Sequence, residues 1–157
     1  MRNIIAIGIL CGASFLAVQE AAAQSQTQTM SVAAQAGRTA TVASLPSWNA
    51  QCRFDGYPNV IIDEQPRNGR LVPERSSRLR VPDNAGQCAG RTVGGVVVRY
   101  IPSRGFRGTA SGQFSVREPE GAARGGQGCR YNMLPNGVLL ADCDRVAFRV
   151  NVFITVR

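Results

Sequence analysis

Residues 94–117 read GGVVVRYIPSRGFRGTASGQFSVR, and their alternation decides the fold. Val96, Val98 and Tyr100 fall on one side of an extended chain while Arg99 falls on the other. After the corner Pro102-Ser103-Arg104-Gly105, Phe114 and Val116 resume the same period. A period of two marks a strand with one buried and one solvated face. The stretch therefore describes two half-buried strands joined by a proline- and glycine-bearing corner, with no catalytic group between them.

The same reading extends outward. Residues 146–156 are the clearest further strand: Val146, Phe148, Val150, Val152, Ile154 and Val156 alternate with polar residues, and Phe153 interrupts the pattern. Strands are also predicted over 39–43, 59–63, 71–72 with 79–81, 93–101, 113–117, 130–134 and 138–141. Turn signals separate them at Asp55-Gly56, Pro66 to Gly69, Pro82 to Gly86 and the glycine-rich 121–128. No window keeps a helical period. Seven to nine short strands with regular turns predict an all-β sandwich, with Trp48 packing in its core beside Cys52. Phe106, Tyr100, Phe114 and Phe148 are expected in that core or at its corner.

The amino-terminal residues have another character. Met1 and Arg2 precede an apolar run over 4–18, and Ala21-Ala22-Ala23 follows it, so residues 1–23 read as a signal peptide. The run is shorter than the roughly 20 residues a membrane-spanning helix needs. Export to the periplasm or beyond the cell is expected, with no transmembrane segment after cleavage. Residues 24–37, rich in Gln, Thr, Ser and Ala, are expected as a flexible lead-in to a domain spanning 38–157.

Cleavage removes Cys11 and leaves Cys52, Cys88, Cys129 and Cys143, an even count that reads as two disulfides in an exported chain. Pro135-Asn136-Gly137 suits a three-residue hairpin loop that would pair Leu134 with Val138. Counting outward along both strands brings Cys129 opposite Cys143. Cys52 with Cys88 follows by elimination.

All 18 basic residues are arginine, against 10 acids, and the net charge is +8. Removing Arg2 with Glu20 leaves that balance unchanged. Such a charge favours anionic partners and solubility. The chain has neither histidine nor lysine, which excludes histidine-dependent catalysis and a lysine nucleophile or base. Asp63-Glu64 and Asp142-Cys143-Asp144 are close acidic groups, and both suit solvated turn flanks. No metal site and no cofactor are expected, because the cysteines lack the close spacing that zinc favours.

Several of these stretches form a pattern. Pro66-Arg67-Asn68-Gly69, Val98-Arg99-Tyr100-Ile101-Pro102, Gly105-Phe106-Arg107-Gly108, Phe114-Ser115-Val116 and the closing valines resemble bacterial cadherin-like and immunoglobulin-like modules. Cys52 and Cys88-Ala89-Gly90 are similar to those of small stand-alone exported proteins of that kind. The resemblance covers residues 38–157 and implies an immunoglobulin-like sandwich without an established activity. Such modules often carry an acidic residue, a candidate calcium ligand, where this chain has Thr109-Ala110-Ser111-Gly112.

The expected function is a non-catalytic exported binding or envelope-structural domain with a basic surface. Its partner would be an anionic envelope component, an acidic glycan or another exported protein rather than nucleic acid. Arg99, Arg117 and Arg149 on outward strand positions, with Arg104, Arg107 and Arg124 in loops, are the candidate binding residues. The alternatives are an inhibitor of another exported protein, and a carboxylate- or metal-dependent enzyme using Asp142 and Asp144.

Overall fold

In the computed structural model the chain is all-β, and the structure describes residues 27–117, 129–133, 139–143 and 148–157. The strands are β1 (Thr27–Ala34), β2 (Ala40–Pro46), β3 (Asn59–Glu64), β4 (Gly69–Arg80), β5 (Thr92–Pro102), β6 (Gly108–Arg117), β7 (Cys129–Met133), β8 (Leu139–Cys143) and β9 (Phe148–Val156). They form a four-stranded sheet of order β1-β9-β6-β3, a three-stranded sheet of order β2-β5-β4, and the separate hairpin β7-β8.

The two larger sheets share one apolar core. Val150, Val152, Ile154, Phe114 and Val116 supply it from one layer, and Val98, Tyr100, Leu45 and Leu71 from the other, all essentially solvent-free. In β5, β6 and β9 these residues belong to the predicted alternating sets, whereas Leu45 lies beyond the predicted strand 39–43. Phe153, the residue that breaks the β9 alternation, is 46% exposed on the outer face. Phe106 packs half-buried against the core from the corner. The Phe148 side chain lies outside the described residues.

The lead-in expectation is corrected over much of its length. Thr27–Ala34 is a strand hydrogen-bonded parallel to β9, with Met30 opposite Val152 and Ala34 opposite Val156. Met30 and Ala34 are buried and Val32 packs beside them. The polar residues of this stretch occupy the outer face, so a strand with small inward residues resembles a low-complexity tail. The predicted fragments 71–72 and 79–81 are likewise parts of one strand, β4, irregular between Ser76 and Leu79.

A smaller cluster of Trp48, Val81, Cys88 and Val93 closes the far end. There Cys52 and Cys88 are joined, with Cα atoms 5.2 Å apart and 36 residues between them in sequence. By loop entropy such a bridge contributes about 4 kcal/mol. In the hairpin, Cys129 stands opposite Cys143 and Met133 opposite Leu139, the register expected from the turn. Whether those two sulfurs bond falls outside the described residues, as do the signal peptide 1–23 and the glycine-rich stretch with Arg124.

Candidate anion-binding end

Sheet order carries six separated arginines to one end of the molecule. β6 begins there, with Gly108 opposite Val156 of β9. β1 finishes there beside Val156, and β5 finishes there with Pro102 opposite Gly69 of β4. The β1–β2, β3–β4 and β5–β6 turns must therefore cap the same end. They bring Arg38, Arg67 and Arg104 with Arg107, to which the strand ends add Arg70 and Arg157. All six are exposed, and none makes an ion pair among the described residues.

These turns are held rather than loose. The Gln65 side chain accepts a 2.7 Å hydrogen bond from the Leu71 N–H and donates one of 3.1 Å to the Leu71 carbonyl, clamping the base of the β3–β4 turn. At its tip the Asn68 carbonyl accepts the Tyr100 hydroxyl at 2.6 Å and the Ser103 N–H at 3.2 Å. One carbonyl thus ties the Arg67 turn to the Arg104 turn. Gly69 lies so close beneath Tyr100 that a Cβ would stand 2.5 Å from the ring. In the β5–β6 corner, Ser103 accepts from Phe106 N at 3.1 Å, Gly105 adopts a φ of 74°, and Phe106 anchors the corner between the two arginines. On the remaining side the Arg157 carbonyl accepts from the Ala36 N–H and the Arg157 N–H donates to the Ala34 carbonyl.

Most acidic side chains of the described residues are placed elsewhere. Glu74 accepts from Arg99 at 2.6 Å on the outer face of the three-stranded sheet. Asp63 accepts from Ser115 Oγ at 2.5 Å and lies 3.9 Å from Arg149 on the outer face of the other. Asp83 pairs with Arg80 at 2.8 Å beside the disulfide end. Glu64, opposite Gln113 on β3, is the acid nearest in register to the arginine end. Like charges gathered with little counter-charge raise the local potential and attract anions.

The structure thus divides the arginines expected to bind. Arg104 and Arg107 reach the common end, whereas Arg99 and Arg149 are each beside a carboxylate. Arg117 stands opposite Asn59, and Arg149 opposite Ser115, so those two are diagonal neighbours on the outer face, far from the turns. Arg38, Arg67, Arg70 and Arg157 were not singled out by sequence. Their signal was positional: each lies in or next to a turn or strand terminus, but only topology puts those termini together. The Asp142 and Asp144 side chains lie outside the described residues. Among the described residues no group of three or more His, Cys, Asp or Glu could hold a metal, and no helix is long and apolar enough to cross a membrane. Comparison with protein-family models, curated proteins and solved structures yields no match, so the site rests on its own geometry.

Proposed function

We propose that the chain is a non-catalytic exported binding domain that grips an acidic glycan or another anionic envelope polymer with its arginine end. The observation behind this reading is the convergence of six exposed arginines, unpaired among the described residues, on turns held by backbone and side-chain hydrogen bonds. A held array loses little conformational freedom on binding, so more of its Coulombic attraction appears as affinity. The Cys52–Cys88 bridge supports export, because disulfides persist in oxidising compartments.

The strand order supports an immunoglobulin-like sandwich. Labelling the strands of the two larger sheets A to G along the chain gives B-E-D in one layer and A-G-F-C in the other. Immunoglobulin-like domains likewise set B, E and D against C, F and G. Here the first strand joins the C-F-G layer, parallel to the last, and the β7-β8 hairpin is inserted between F and G.

The test is binding to a sulfated polysaccharide across a salt series. Wild-type affinity should fall steeply with salt, because neutralising a polyanion releases its condensed counterions. R67S/R104S/R107S should bind more weakly and lower the log–log slope by roughly one per arginine that contacts the polymer. R99S/R149S should keep wild-type behaviour. Retention of full affinity by the folded triple variant would contradict the proposal.

A further inference from the structure

A cleft of about 410 Å³ opens on the side of the molecule, between the edge strands β3 and β4, well away from the arginine end. Its lining includes Tyr57, Asn59, Val60, Pro73, Arg75 and Val96. Val96 is buried and faces the core, and Arg75 stands directly opposite it in the β4–β5 register. Arg75 therefore projects from the core-facing side of its sheet, where an edge strand ordinarily carries an apolar residue. Leu71 and Pro73, the preceding residues of the same face, are apolar.

The guanidinium carbon of Arg75 lies 4.9 Å from the Tyr57 ring centroid, a cation–π distance. Tyr57 is itself braced edge-on by Phe54 at 4.8 Å between centroids, and Phe54 rests on Gly94, where a Cβ would stand 2.6 Å from its ring. Arg75 is thus positioned at the rim of a mainly polar cleft with a small apolar patch at Val60 and Pro73, without a carboxylate partner among the described residues. The volume falls within the usual range for a small-molecule site, and Arg75 is a positioned charge at its rim.

We propose that this cleft binds a small organic carboxylate whose apolar body, a ring or short acyl chain, covers Val60 and Val96 while its carboxylate pairs with Arg75. The single arginine sets the charge: one cation balances a monoanion, and the lining offers no second cation for a phosphate dianion. The planar guanidinium also matches a carboxylate in shape.

The experiment is a set of NMR titrations of the full exported chain with benzoate and octanoate, each against its neutral counterpart, benzamide or octanol. At least one acid should shift the Tyr57, Val60 and Val96 resonances saturably, and should bind about tenfold or more tightly than its neutral counterpart, the loss expected for one charge-assisted pair. R75Q, with wild-type melting, should erase that preference. R67S/R104S/R107S should keep it, which separates this site from the arginine end. The proposal is overturned if neither acid perturbs these residues at millimolar concentration, if the neutral counterparts bind as tightly, or if R75Q keeps the preference. In those cases Arg75 serves only as an inward charge that guards an open sheet edge against strand pairing.

Discussion

Tyr100 shows how one side chain links the core to the candidate site. Its ring is buried, fills the space beneath Gly69, and sends its hydroxyl out to the Asn68 carbonyl that joins the two arginine turns. Burial pushes its hydroxyl above the ordinary tyrosine value of 10.0, because the charged phenolate is disfavoured away from water. The unfolded chain therefore releases this proton first. The stabilisation from a neutral Tyr100 is complete below about pH 10 and is lost as pH rises through the higher folded value, at up to about 1.4 kcal/mol per pH unit. With no lysine in the chain, few other groups titrate there. Denaturant melts from pH 8 to 11 should show this decline in the wild type and a shallower one in Y100F. Equal slopes would mean that Tyr100 does not sense burial as the packing implies. That Tyr100 would be buried was legible from its place in the Val96, Val98, Tyr100 series. Its hydroxyl partner was not, because Asn68 lies 32 residues away and only the fold brings them together.

At the scale of elements, legibility followed the strength of alternation. β5, β6 and β9 carry large inward residues at every second position, and their phases were readable. β1 escaped notice because Met30, Val32 and Ala34 are interleaved with polar residues and fall in a stretch whose composition suggests a tail. β4 was read as two fragments because Pro73, Glu74 and Arg75 interrupt its apolar pattern, and an edge strand accommodates such residues. The β1 assignment makes a direct prediction. Deleting residues 24–35 should expose the β9 edge and uncover Met30 and Ala34 contacts, lowering stability by several kcal/mol, since burying each large apolar side chain contributes about 1.5–3 kcal/mol. Chemical denaturation of the shortened chain would reveal the loss. A midpoint within the scatter of ordinary surface changes, about 0.5 kcal/mol, would instead return these residues to the role of a flexible lead-in.

For the molecule as a whole, the densest group of arginines without an ion pair among the described residues lies at the turn end, while Arg53, Arg78, Arg91 and Arg117 are exposed elsewhere. The outward strand arginines Arg99 and Arg149 have carboxylates beside them, while the turn arginines do not. Sequence could count the charge but could not locate its excess, because Arg38, Arg67, Arg104 and Arg157 are far apart in the chain and meet only through the sheet order. A uniformly basic surface would bind a polyanion anywhere, whereas the proposed site would favour binding at one end. The most direct measurement is an amide-resolved NMR titration of the protein with a short sulfated oligosaccharide at low salt. The account predicts perturbations concentrated at residues 35–39, 66–70, 103–108 and 157. Perturbations centred instead on the outer faces around Arg99, Arg117 and Arg149, or scattered evenly over the surface, would contradict it.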